Sequence, residues 1–454
     1  MATLTRLLGD LEAGEDAVQD ACALALTVWP RDGIPANPKA WLIGVARNKA
    51  VDRIRRERRR AGKEAEAMRG LGREIPAGPE TTSAAVPGVT GSASALADDQ
   101  LGLIFACCHP ALDPAVRVGL TLRCVCGLST ADIAAAFLVP EPTMAQRLVR
   151  AKRKIRQAGI SLRMPGPPGL TERLDAVLRV IYLVFTLGHR AAAGPALVRG
   201  ELCDQAIALS RALAALLPDQ LEVTGLLALL LLTDARRGAR IGADGSLIVL
   251  PDQDRDAWDR NKIDDGERLL EAALRARRPG PYQLHAAIAA CHSCAPTAAA
   301  TDWPQIAALY GQLIRYEPSP VTEANRAVAV AMAEGAGAGL AILDAAGTHP
   351  QMAHWPQFHI ARAELLRRAG HEAEAAEAFR AALRLDLPPA ERTFIEARIT
   401  QPGAPASAGA RQHPSGLRRG VRYRPSDPRP KAWVSGRCCR RASLTGYGEA
   451  FVTG

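Results

Sequence analysis

The 454 residues of this chain suffice for two or three separate cores, and 48% of them are apolar, which excludes a largely disordered chain. Aromatic residues make up only 4% while alanine and leucine abound, a balance that favours helices over sheets. The formal net charge is +10, but ten Lys/Arg and two acids fall after Thr400, so the preceding residues sum to about +2, and local basic helices rather than the overall charge carry any argument for an acidic partner.

The N-terminal stretch MATLTRLLGDLEAGEDA is charged and amphipathic, unlike a secretory signal. The longest apolar run, Gly225 to Leu232, is too short to span a bilayer, so a cytoplasmic chain without a membrane partner is expected. In that compartment Cys22, Cys107, Cys108, Cys124, Cys126, Cys203, Cys291, Cys294, Cys438 and Cys439 are expected as reduced thiols.

Helical periodicity starts at once. Leu4, Leu7, Leu8 and Leu11 begin one helix, and Glu15 to Val28 forms another with Ala17, Val18, Ala21, Leu24, Ala25 and Val28 on its apolar side. Its other side carries Glu15, Asp16, Gln19 and Asp20. Pro30 to Pro38 (PRDGIPANP) reads as a loop. A strong helix from Lys39 to about Lys63 starts apolar at Trp41, Leu42 and Val45 and ends in DRIRRERRR. Gly, Pro, Ser, Thr and Ala dominate residues 71–97, the composition of a flexible linker.

A second module is expected over 98–162. Within it Ser129 and Asp132 make a near capping box, Ile133, Ala134 and Phe137 form one face, and Pro140-Glu141-Pro142 interrupts. Thr143 is the expected cap of a new helix with Met144, Leu148, Ala151 and Ile155 at helical spacing. Gln146, Arg147, Arg150, Lys152, Arg153, Lys154 and Arg156 occupy the opposite side. This is the layout of a helix-turn-helix whose second helix enters a DNA major groove.

Residues 170–400 read as a long helical region. Trp303 to Asp344 and Phe358 to Ala397 look like related hairpins. Ala361 to Leu385 resembles a tetratricopeptide unit, with Ala363 and Leu366 on one helix, Gly370 at the turn, and Ala375, Ala376, Phe379, Ala382 and Leu383 on the next. Such units stack, because none buries its faces alone. Residues 401–454 are rich in Gly, Pro, Ser and Arg and are expected to be disordered.

Metal and catalytic chemistry find little support. Adjacent Cys107 and Cys108 point apart on a helix, and Cys124 with Cys126 is poor ligand spacing there, so these cysteines read as small hydrophobes and no metal is expected. His285 and His292 read as packing residues. No GxSxG, phosphate loop or carboxylate dyad stands in a supporting context, so no catalytic residue, no cofactor and no enzyme activity are expected.

Together GEDAVQDACALALTVWP (Gly14 to Pro30), PKAWLIGVARNKAVDRIRR (Pro38 to Arg56) and the helix-turn-helix resemble an extracytoplasmic-function RNA polymerase sigma factor of the sigma-70 family, over roughly residues 1–160. LGLIFACCHPALDPAVRVGLTLRCVCGLST, DARRGAR and PGPYQLHAAIAACH narrow the resemblance to members with a large tetratricopeptide-like C-terminal extension, which the subgroup implicates in activity. The resemblance implies an all-α chain. Sigma region 2 would occupy 1–70 and region 4 98–162, with a helical extension over 170–400 and the tail outside. Family members usually carry further residues ahead of the position of Met1, so Thr3 to Leu11 would supply only the end of the first region 2 helix.

The resemblance implies core RNA polymerase and promoter DNA as partners, with a regulatory protein as a further candidate at the extension. Glu141, Thr143, Gln146, Arg147 and Arg150 would then meet bases or phosphates of the −35 element, and Lys152, Arg153, Lys154 and Arg156 phosphates further along. Asp32 and Asn37 would receive an unstacked base of the −10 element, with Arg47, Asn48, Lys49, Arg53, Arg55 and Arg56 along the strands. Glu15, Asp16, Gln19 and Asp20 would face the polymerase clamp. The competing expectation is a tetratricopeptide-type adaptor or DNA-binding regulator that works without polymerase.

Overall fold

A computed structural model describes residues 1–68, 93–137, 139–190, 196–242 and 247–400. Eighteen α-helices and a few short 3-10 turns make up the described residues, and no β-sheet occurs among them. The chain divides into two compact units. One comprises residues 1–184 with 211–216, and the other residues 185–210 with 217 onward.

In the first unit α1 (Ala2–Leu8) stops at Gly9, whose φ of 69° lies in the left-handed region. Leu11 therefore opens the next helix instead of extending the first. That helix, α2 (Leu11–Asp32), is capped by Asp10, whose carboxylate accepts from the Ala13 N–H at 3.0 Å. It runs through Pro30, so the predicted loop over 30–38 shrinks to residues 33–37. Proline near a helix end forfeits only one hydrogen bond. Asn37 caps α3 (Pro38–Met68) by accepting from the Ala40 N–H at 3.0 Å. Leu4, Ala17, Ala21, Ala46 and Ala50 form a small core among α1, α2 and α3. Small residues bring the helices close: a Cβ on Gly14 would stand 3.1 Å from the Thr5 Cα.

The second module begins at α4 (Ala93–Cys107), five residues ahead of expectation, followed by α5 (Pro114–Cys124), α6 (Thr130–Ala136) and α7 (Glu141–Gln157). The rest of the predicted linker, like the tail after Thr400, lies outside the described residues. Ser129 and Asp132 close the expected box, with the Asp132 N–H donating to Ser129 Oγ at 3.1 Å. The last helix starts at Glu141 behind Pro140, so Thr143 lies inside its first turn and is not its cap. Proline at the start of a helix costs little, because N–H groups there have no partner in the helix. Met144, Leu148, Ala151 and Ile155 are buried, and a Cβ on Gly119 would lie 3.6–3.9 Å from Leu148, Met144 and Ile133, the meeting point of α5, α6 and α7.

Helices α8 (Pro167–Arg190) and α9 (Ala196–Leu216) each contribute residues to both units. In the second unit α10 (Leu221–Asp234) is buried from Leu226 to Asp234, as a helix apolar on every side must be. Next come α11 (Arg260–Leu274) and α12 (Pro281–Ser293). They are followed by α13 (Trp303–Leu313), α14 (Pro320–Glu334) and α15 (Ala336–Gly347). The last three are α16 (Pro356–Arg368), α17 (Glu372–Leu383) and α18 (Pro389–Thr400). Ala363, Leu366, Ala375, Phe379 and Ala382 share one core, and Gly370 turns between α16 and α17 with φ 84°.

Candidate nucleic-acid interface

Two faces of α7 divide its labour. The apolar stripe anchors it, each large side chain contributing about 1.5–3 kcal/mol by burial. Away from that stripe Glu141, Gln146, Arg147, Arg150, Arg153 and Lys154 are exposed, while Thr143 is half-buried. Cations spaced three and four residues apart share one side of a helix, the pattern that tracks a phosphate backbone. Lys152 differs. Its side chain is only 11% exposed and its ammonium is bound to Glu15 of α2.

At the other end of the first module, Trp29 and Trp41 pack with ring centroids 5.5 Å apart and planes tilted by 60°, bracing the end of α2 against the start of α3. The loop over 33–37 joins these two helix ends, with Ile34 71% exposed. Asp32 is exposed as the last residue of α2. The Asn37 carbonyl is engaged as the α3 cap, which leaves its amide NH2 as the group able to meet a base. Along α3, Asn48 and Arg55 are exposed, Arg47 is half-buried, and Lys49 donates to the Asp20 carbonyl at 3.2 Å. The side chains of Arg53 and Arg56 lie outside the described residues.

Asp16, Gln19 and Asp20 are exposed along α2, but Glu15 is half-buried between two cations. Arg123 of α5 donates to its Oε1 at 3.3 Å and also to the Leu128 carbonyl at 3.1 Å, and Lys152 holds Oε2. One turn earlier Arg156 binds Asp10 at 2.6 Å and also Glu12. Burial pushes the Asp10 carboxyl up, but Arg156 and the N–H groups of Ala13 and Glu12 together hold it below the usual range. Arg6 of α1 pairs with Asp99 of α4. The structure thus joins residues expected to serve two different partners. Nothing in the sequence signals this, because the paired groups stand more than a hundred residues apart.

Burial keeps several thiols protonated, pushing Cys108 and Cys126 up to about 12, while Cys107 is raised by its hydrogen bond with Cys124 and by burial. In the second unit His189, Cys203 and Asp234 bring one ligating atom each within 4.8 Å of the others, a grouping that the sequence did not suggest. Asp234 is already engaged by Arg237 at 2.6 Å and Lys262 at 2.7 Å, and burial with the Asp234 charge raises Cys203 to about 12. The carboxylate acts as a counter-ion to the protein's own cations.

Residues 1–60 match the Sigma-70 region 2 family and residues 103–155 the Sigma-70, region 4 family. Residues 173–274 match a family of unknown function (DUF6596). The chain is 41% identical over 399 residues to an uncharacterized protein, R00370, of Rhizobium meliloti (strain 1021), covering 88% of this chain and 92% of that one. No solved structure matches.

Proposed function

This chain belongs to the sigma-70 family, as an extracytoplasmic-function-like sigma factor with a helical C-terminal extension that acts in promoter-specific transcription initiation, and on that premise we propose how its residues divide the work. Core RNA polymerase and promoter DNA are its partners. The upstream −35 element is read by α7, entering the major groove with Glu141, Thr143, Gln146, Arg147 and Arg150 nearest the bases. Arg153 and Lys154 neutralise phosphate further along. The observation that carries this reading is the exposed basic face of α7, set opposite four buried side chains in a three-helix cluster.

The −10 element is opened by the first module. Arg47, Asn48, Lys49, Arg53, Arg55 and Arg56 hold the strands along α3. An unstacked base enters the loop over 33–37, where Asp32 and the Asn37 amide meet its polar edge. Extruding a base costs about a few kcal/mol, offset by these contacts and by polymerase binding. Nothing is hydrolysed, so no catalytic group is needed. Glu15, Asp16, Gln19 and Asp20 face the polymerase, and the extension over 170–400 regulates the sigma modules or holds a regulatory protein.

Binding to purified core polymerase and run-off transcription on genomic fragments test the reading together. Arg147→Ala and Arg150→Ala are expected to weaken initiation each by about 1–3 kcal/mol of promoter contact while core binding stays intact. Intact DNA binding without core binding would instead identify an adaptor or a polymerase-independent regulator. Truncation after Arg190, which keeps α8 whole, tests the extension: transcription unchanged in level and in regulation would remove its assigned role.

A further inference from the structure

Helices α8, α10 and α12 all end in the second unit beside a cluster of arginines. Arg240 donates to the His189 carbonyl at 2.5 Å, in the last turn of α8. Arg236 follows the last residue of α10 by two positions. Arg255 donates to the carbonyls of His292 and Ala295 at 2.7 and 2.8 Å, at the end of α12. The 3-10 turns Arg237–Ala239 and Arg255–Ala257 pack on each other, and the Asp259 N–H donates to the Ala235 carbonyl at 2.8 Å, which keeps Arg236 and Arg255 in one neighbourhood. Arg236 and Arg255 are buried while Arg240 is half-buried, so the cluster meets solvent at Arg240.

A helix C-terminus carries about half a negative charge, so these three ends offset about half of the three guanidinium charges and leave about +1.5. Neighbouring groups register the excess. Burial, and then the charges of Arg240 and Arg255, pull Arg236 down to about 9. Burial, followed by Arg236 and Arg255, lowers His292 to about 3. Burial also holds His189 well below its usual value, helped by Arg240, Arg236 and Arg237. A negative charge placed among these groups would relieve every one of these like-charge repulsions. The Asp234 carboxylate is engaged by Arg237 and Lys262.

Two buried donors beside the cluster also lack an acceptor among the described residues, Nη2 of Arg255 and Nε1 of Trp258. Arg255 is 9% exposed and Trp258 3%, and the guanidinium lies over the indole with its Cζ 4.4 Å from the ring centroid. Guanidinium and indole N–H groups only donate, so an acceptor is what completes them. Leaving such a donor dry is costly, most of all a charged one. Water would supply oxygen without charge, whereas an oxyanion supplies both.

We propose that Arg236, Arg240 and Arg255 form a binding site for one phosphate group, either free phosphate or the phosphate of a small phosphorylated molecule, which enters past Arg240. A carboxylate offers two oxygens and one charge. Phosphate offers three or more oxygens to the guanidinium forks and a charge of about −1.5 to −2, close to the excess at the three helix ends. The site lies wholly in the second unit and does not depend on the promoter roles assigned above.

Calorimetric titration of the full chain with sodium phosphate, at an ionic strength held constant with chloride, is expected to show saturable binding of one phosphate per chain. Glycerol 3-phosphate under the same conditions separates the sources. Tighter binding of the ester identifies a phosphorylated small molecule, and tighter binding of the inorganic ion identifies free phosphate. Arg240→Gln should weaken the better ligand at least about tenfold, the factor carried by one charge-assisted hydrogen bond. Arg150→Gln, on the exposed basic face of α7, should leave that affinity unchanged. In the unaltered chain, saturating ligand should protect Arg240 from phenylglyoxal, read by peptide mass spectrometry, and this measurement decides the matter if Arg240→Gln fails to fold. The proposal is overturned by saturable binding of neither ligand, by undiminished affinity in folded Arg240→Gln, by an equal loss in Arg150→Gln, or by an Arg240 modified equally fast with and without ligand.

Discussion

Removing the Asp234 carboxylate should cost the second unit more than almost any other single polar change. Its side chain is fully buried at the end of α10. Oδ1 accepts from Arg237 at 2.6 and 2.7 Å, and Oδ2 from Lys262 of α11 at 2.7 Å. Arg237 continues to Asp204 at 2.8 Å and to the Gly200 carbonyl at 3.3 Å on α9, so one carboxylate ties three helices. Breaking a buried ion pair costs about 3–5 kcal/mol. Here Arg237 and Lys262 are 32% and 31% exposed and regain water, so the low end, about 3 kcal/mol, is expected for Asp234→Ala. At about 2–4 °C per kcal/mol for a unit of this size, the melting midpoint should fall by about 6–12 °C. Asp234→Asn keeps the shape and one acceptor and should lose less. Urea and thermal unfolding of the full chain, followed by circular dichroism, measure both variants. A loss below about 1 kcal/mol for Asp234→Ala, the scale of a surface pair, would refute the counter-ion role.

Three further outcomes are expected. Gly14→Ala places a methyl 2.5 Å from Thr5 Oγ1 and 3.1 Å from its Cα, and should destabilise the packing of α1 on α2 by about 1–3 kcal/mol, seen as an earlier unfolding transition. Leu148→Ala, at a position 4% exposed, should cost about 2–5 kcal/mol and abolish duplex binding in an anisotropy assay while core binding through α2 persists. Burial, with the cations Arg236 and Arg255 adding to it, lowers His292 to about 3, so the folded state binds fewer protons than the unfolded one below the ordinary value of 6.5. Stability is therefore complete above pH 6.5 and declines as pH falls. By pH 5 the loss should reach about 2 kcal/mol in urea titrations, and His292→Phe should flatten that slope.

Elements that rest on local chemistry were legible in the sequence. The stripe of Met144, Leu148, Ala151 and Ile155 fixed which side of α7 is buried, and the Ser129–Asp132 box fixed where α6 begins. Gly370 marked the turn between α16 and α17 through its need for a left-handed backbone. Where tertiary contacts override local preference, the reading slipped. Pro30 looked like a stop, yet α2 continues to Asp32 while Trp29 packs on Trp41. Thr143 looked like a cap, but the chain had already turned helical behind Pro140. The basic run of α7 read as one continuous face, whereas burial and pairing remove Lys152 from it. That contact and the Asp234 network join residues distant along the chain, and residue type alone carries no record of such meetings.

The Trp29–Trp41 pair has an optical consequence. These are two of only six tryptophans in the chain, and they flank the loop over 33–37 along the chain while packing on one another. A base entering there, as proposed, would alter the polarity and quenching that both indoles experience. On the −10 role proposed for this loop, the protein would carry its own fluorophore at the place of strand opening, and the emission of that pair would be a clock for the event, requiring no label.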